Sequence, residues 1–133
     1  MPEPHPIITR VVGLRLAAGV SRAAAAKRIG YGRKTVQFWE AGVQEPRLDA
    51  VDADAQVRGY RLSVGDGGPV VKALMRARYD AGLTQADVAL KLGCTLTAVW
   101  RWETGRRGMT LTTATAYAAL FGLELELREV PDA

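Results

Sequence analysis

The chain is poor in the side chains that carry covalent or metal chemistry. Its 133 residues include one cysteine, Cys94, and one histidine, His5. A single cysteine excludes an intrachain disulfide and a cysteine-based metal cluster. A histidine-dependent triad would have to recruit His5, which lies in the proline-rich stretch Pro2-Glu3-Pro4-His5-Pro6. Cys94 follows a turn glycine and has no histidine near it in sequence, so it reads as a small turn residue rather than a nucleophile. Long apolar runs are missing as well, and none approaches the roughly 18 residues that a membrane span needs. The N-terminus lacks the basic-then-apolar order of a secretory signal. These absences point to a cytoplasmic protein that is not an enzyme, needs no cofactor or metal and has no membrane partner.

What is present is a sequence written twice. Shifted by 63 positions, residues 7–64 fall on residues 70–127 without a gap. Identical pairs include Arg15/Arg78, Gly19/Gly82, Gly30/Gly93, Val36/Val99, Trp39/Trp102, Glu40/Glu103, Gly42/Gly105 and Gly59/Gly122. Tryptophans and turn glycines rarely agree together by chance, so one supersecondary unit is repeated. Between the copies lies Gly65-Asp66-Gly67-Gly68-Pro69, a turn-rich linker whose proline is placed to open a helix. It lacks the Gly-Lys-Ser/Thr ending of a phosphate loop. The expected organisation is a first unit over 1–64, a linker over 65–69 and a second unit over 70–133.

The second copy has the clearer signals. Val70, Val71, Leu74, Ala77 and Ala81 recur at helical spacing, and Gly82 ends that helix. Thr84 opens a second helix, with Thr84-x-x-Asp87 resembling a capping box. Ala86, Val88, Ala89 and Leu90 are expected to face inward, and Gly93 stops the helix. Thr95 caps a third helix that turns Val99 and Trp102 inward and ends at Gly105. A fourth, from about Thr112 to Phe121, is expected to bury Ala116, Tyr117, Leu120 and Phe121. The period then changes: residues 123–130, LELELREV, alternate apolar and charged, the mark of a strand. Tyr60–Val64 is the shorter counterpart in the first copy. A lone strand leaves backbone groups unpaired, so the two strands should pair. They can do so with each other about a pseudo-two-fold axis, or between two chains as a homodimer. The fold class expected is mainly α, two tandem helix-turn-helix units each followed by a short β-strand.

Other conspicuous residues have structural readings. In Trp39-Glu40 and Trp102-Glu103, each tryptophan is expected in the core and each glutamate to brace the turn that follows. The run Ala23–Ala26 reads as a packed helix face. Glu124, Glu126 and Glu129 read as the solvated face of a strand rather than a metal site.

A short helix, a tight turn and a second helix suit DNA, because a helix fits the major groove and its first residues reach base edges. The net charge of +4 has the matching sign. It is uneven: residues 1–65 carry ten basic against six acidic side chains, and residues 66–133 eight against eight.

The stretch Leu83-Thr84-Gln85-Ala86-Asp87-Val88-Ala89-Leu90-Lys91-Leu92-Gly93, followed by Val99, Trp102-Glu103 and Gly105-Arg106-Arg107, resembles the Xre/Cro/C1 helix-turn-helix family. The first copy matches it through Gly19, Ser21, Ala23, Gly30, Val36, Trp39-Glu40 and Gly42. That family includes phage repressors, plasmid and bacterial regulators, and antitoxins. The resemblance implies repressor-like four-helix units that bind double-stranded DNA. It implies base reading by Arg33, Lys34, Gln37 and Phe38 in the first copy and by Leu96, Thr97, Trp100 and Arg101 in the second. It implies phosphate contacts by Gln85 and its partner Arg22, by Arg106 and Arg107, and by Arg47. The sequence departs from the family at Gly32, where a serine or threonine cap is usual, and at Ser21, which lacks an acidic partner at Ala24. Phe38 and Trp100 stand where polar residues are usual, and either stack on sugars or form an interface patch. The function implied is a sequence-specific transcription regulator, a repressor. The alternative is an antitoxin or other interaction module that uses the same fold to grip a protein partner such as a toxin.

Overall fold

A computed structural model describes residues 3–65 and 69–130. In chain order the elements are α1 (Pro6–Ala17), α2 (Arg22–Ile29), α3 (Arg33–Glu40), α4 (Leu48–Val57), β1 (Tyr60–Val64), α5 (Val70–Asp80), α6 (Gln85–Leu92), α7 (Leu96–Glu103), α8 (Leu111–Ala119) and β2 (Leu125–Glu129). The order of four helices and a strand is thus repeated. Of the expected linker, residues 66–68 lie outside the described residues, while Pro69 is the N-cap of α5.

The helix starts follow the capping residues. Thr84 and Asp87 form a reciprocal capping box at α6, and the side chains of Thr95 and Thr110 accept the amides of Ala98 and Thr113. In the first copy the Ser21 hydroxyl accepts the Ala24 amide although no acidic partner completes the box, and Gly32 caps α3 with no side chain. His5 is the N-cap of α1, its Nδ1 accepting from the Ile7 amide at 3.1 Å. The turn before each third helix is made by a left-handed glycine, Gly30 at φ 79° and Gly93 at φ 69°. Glycine alone enters that region without a Cβ penalty.

The buried faces of four helices differ from the sequence reading. In α6 Val88 and Ala89 are buried, but Ala86 is exposed and Leu90 is 84% exposed. The capping box sets the phase of this eight-residue helix, which turns only one narrow stripe inward. In α8 the buried residues are Leu111, Ala114, Tyr117 and Ala118; Ala116 is exposed, and Leu120 and Phe121 are half-buried. The helix starts one residue earlier than expected, capped by Thr110, and already ends at Ala119. In α2 only Ala25 and Ala26 of the alanine run are buried. In α5 the inward line is Val70, Leu74 and Arg78, while Ala81 is exposed.

The two strands form an antiparallel pair, with the Val130 amide donating to the Gly59 carbonyl at 2.8 Å. β2 is shorter than its alternating sequence. Leu125 and Leu127 are buried, whereas Glu124, Glu126 and Glu129 are exposed. By compactness the chain divides into two units. One gathers the described residues up to Arg61 and from Leu127 onward; the other is Leu62–Glu126. In the first unit Val36, Trp39, Ala26 and Ala50 form a core cluster with Ile29 packed against it. In the second the most deeply buried side chains include Val88, Val99, Leu111 and Tyr117.

Candidate nucleic-acid interface

The third helix of each copy divides into an anchored side and a free side. In α3, Val36 and Trp39 are buried, while Arg33, Lys34, Gln37 and Phe38 are exposed. In α7, Val99 is buried and Trp102 half-buried, while Leu96, Thr97, Trp100 and Arg101 are exposed. The exposed set occupies the first, second, fifth and sixth positions, which share one side of a helix with 3.6 residues per turn. All eight residues expected to read bases therefore lie on such a face, four in each copy. Their chemistry differs. The α3 face offers two cations and an amide; the α7 face offers Leu96, 52% exposed, and Trp100, 40% exposed, beside one cation.

What holds each face in place is a buried ion pair that the sequence reading did not assign. Glu103 does not brace the following turn. Its Oε2 accepts from Arg78 Nε at 2.9 Å and its Oε1 from Arg78 Nη2 at 2.7 Å, tying α7 back to α5. Arg78 Nη1 also donates to the Leu83 carbonyl, just before α6. Glu40 and Arg15 repeat the fork at 3.0 and 2.8 Å, with Arg15 Nη1 on the Val20 carbonyl. Both pairs are nearly dry, with side-chain exposures of 5% and 2% for Arg78 and Glu103 and 6% and 8% for Arg15 and Glu40. A bidentate guanidinium–carboxylate pair fixes orientation as well as distance. The signal was available: the same Arg and Glu recur in both copies, and each arginine falls on the inward stripe of its helix.

Two of the expected phosphate residues are joined to the same glutamates. Gln85 Nε2 donates to Glu103 Oε1 at 3.0 Å, and Arg22 Nε donates to Glu40 Oε1 at 2.7 Å. One N–H of the Gln85 amide and the Nη groups of Arg22 are not used in these bonds. Each residue borders an open groove that reaches the start of the third helix. In the first copy Arg15, Leu16, Ser21, Arg22, Ala23, Arg33 and Gln37 line it. In the second Arg78, Tyr79, Gly82, Leu83, Thr84, Gln85, Ala86 and Leu96 do. Arg106 and Arg107 are exposed beyond the end of α7, with the Arg106 guanidinium carbon 5.1 Å from the centroid of the Trp100 ring. Arg47 is exposed at the N-cap of α4, apart from the α3 face.

The copies differ behind the face. In the second, the Tyr117 hydroxyl donates to Glu103 Oε2 at 2.7 Å and its ring packs on Phe121. Burial alone would raise the Glu103 carboxyl; hydrogen bonds from Arg78, Gln85 and Tyr117 overcome this and hold it below the usual glutamate value. Burial and the bond to Glu103 push the Tyr117 phenol well above the usual tyrosine range. At the same two positions the first copy has Asp54 and Arg58, an ion pair four residues apart. Burial raises the Asp54 carboxyl against the opposing pull of Arg58, and Arg58 Nε and Nη2 are buried with no hydrogen-bond partner.

Two anchored third helices, each behind a glycine turn and each with a free face, define a tandem helix-turn-helix protein. Residues 71–130 match the family model described as Helix-turn-helix domain, and residues 14–55 match the one described as Helix-turn-helix. No curated protein and no solved structure matches the chain. The chain carries two tandem helix-turn-helix domains of the Xre/Cro/C1 type. Such domains support a DNA-binding regulator, and families of this kind are typically not enzymes. Among the described residues no helix is long and apolar enough to cross a membrane.

Proposed function

We propose that the protein is a sequence-specific transcription regulator that acts as a repressor by occupying a site on double-stranded DNA. One observation carries this reading. In both copies the four positions of the third helix that this reading assigns to bases are exposed, while Val36 and Val99 between them are buried. Arg33 and Lys34 suit the O6 and N7 of guanine, and Gln37 suits adenine; Leu96 and Thr97 suit a thymine methyl. Arg22, Gln85, Arg106, Arg107 and Arg47 supply phosphate contacts, so affinity falls steeply with salt. The two faces are chemically unlike, so one chain reads two different sub-sites. The test is selection of bound duplexes from a random pool at physiological salt, followed by sequencing. One asymmetric motif with two sub-sites is expected. Enrichment of nothing at any salt would sink the reading. A palindromic motif would show that one copy reads and the chain dimerises.

A second reading is favoured by the exposed aromatics: Phe38 and Trp100 are 41% and 40% exposed on surfaces meant for bases. As an antitoxin or interaction module, the chain would use them to grip a protein. A toxin-like gene beside its own, and loss of toxin neutralisation in Phe38→Ala, are its marks.

A further inference from the structure

We propose that in the second copy Trp100 is a positioning residue, which holds Arg106 as a preset phosphate clamp at the C-terminal end of α7. The proposal rests on the DNA-binding reading and reassigns Trp100 within it. Trp100 is too exposed to serve the core, and Arg106 lies 5.1 Å from its ring centroid. That separation suits a cation over an aromatic face. The backbone aims the pair. Gly105, at φ 75°, reverses the chain, and the amides of Arg106 and Arg107 both donate to the Arg101 carbonyl, at 2.9 and 3.2 Å. The Thr104 hydroxyl closes the last turn on the Trp100 carbonyl at 2.8 Å.

The first copy is an internal control. Its turn is the same: Gly42 has φ 76°, and the amides of Val43 and Gln44 both donate to the Phe38 carbonyl, at 2.9 and 3.2 Å. Yet the positions of Trp100 and Arg106 hold Gln37 and Val43. The turn needs neither member of the pair, and both members are exchanged together. The copies also place their cations differently. The first has Arg22, Arg33 and Lys34 around the start of its reading helix; the second starts that helix with Leu96-Thr97 and carries Arg101, Arg106 and Arg107 near its end. A guanidinium held over an aromatic ring still has N–H groups to offer phosphate oxygens. The contact also removes rotamer freedom that a loose arginine would lose on binding.

The test uses the full chain with fluorescently labelled duplexes of random sequence and of the selected site, titrated across salt. Arg106→Gln is expected to lower the slope of log affinity against log salt by about one, with base preference unchanged. Trp100→Ala is expected to weaken binding to all sequences alike, by about two- to fivefold. Trp100→Phe should restore part of that loss. The double variant should bind no more weakly than Arg106→Gln alone, the signature of a coupled pair. An altered base preference in Trp100→Ala, or losses that add in full, would overturn the clamp while leaving DNA binding intact. No salt-dependent duplex binding by the wild-type chain would remove the DNA-binding reading and the clamp with it. Arg106 lies on the surface, so its variant keeps the test open even if Trp100→Ala folds poorly.

Discussion

At the scale of single residues, buried charge and glycine turns set the third helix of each copy. Arg78 and Glu103 compensate each other in a nearly dry site. Removing one leaves an uncompensated buried charge, so Arg78→Met should cost about 3–5 kcal/mol in denaturant unfolding. A loss near zero would mean that Glu103 is held by Gln85 and Tyr117 alone. Glycines at matching positions carry unequal burdens. A Cβ on Gly105 meets nothing within 4 Å, whereas a Cβ on Gly42 would lie 2.7 Å from backbone atoms of Glu3 and Pro4. Alanine in the left-handed region costs about 1–2 kcal/mol by itself. Gly105→Ala should show that loss, and Gly42→Ala a clearly larger one because the N-terminal segment must also move. Equal melting shifts for the two would contradict the close approach.

At the scale of elements, Tyr117–Phe121 and Asp54–Arg58 are two solutions to one problem, the space behind the glutamate. An apolar replacement for a buried ion pair is often neutral or stabilising by about 1–4 kcal/mol. The double substitution Asp54→Tyr with Arg58→Phe copies the second solution into the first copy and should raise the melting temperature. Asp54→Ala alone should lower it, since Arg58 already has two buried nitrogens without partners. If the double variant is the less stable of the two, the two copies do not share this space. This contrast also shows what the sequence made legible. The repeat, the capping threonines and the glycine stops gave the helices and the strand β1, because those signals are local. The Arg–Glu fork did not emerge, because its partners lie 25 residues apart and only the fold joins them. The inward phase of α6 and α8 was misread for a related reason. In alanine-rich helices of eight or nine residues, apolar character barely distinguishes one face from another. The candidate faces of α3 and α7 came from the family resemblance, and buried Val36 and Val99 set the phase that leaves those residues exposed.

At the scale of the molecule, pH should act on the copies with opposite signs at these groups. Glu103 has a lowered folded value, so its contribution is present above the ordinary glutamate value near 4.5 and is lost as pH falls through the lowered one. Asp54 has a raised folded value, so the folded form takes up its proton first and gains stability as pH drops towards the ordinary 3.8. Tyr117 has a raised value, so its contribution is present below the ordinary tyrosine value near 10 and is lost as pH rises above it. Thermal melts from pH 7 to 3 should show an acid limb that Glu103→Gln flattens. In an alkaline titration at the tyrosinate absorbance, Tyr117 should ionise above the usual tyrosine range. An acid limb unchanged in Glu103→Gln would place the sensitivity elsewhere.

The recurrence of glycine turn and Arg–Glu fork at one fixed offset makes each copy a mounting with a removable faceplate. Arg33→Leu, Lys34→Thr, Gln37→Trp and Phe38→Arg together would transplant the α7 face onto the α3 frame without touching Val36 or Glu40. If both faces read DNA as proposed, the chain would then carry duplicate faceplates, and the duplexes selected by this variant should contain one word written twice.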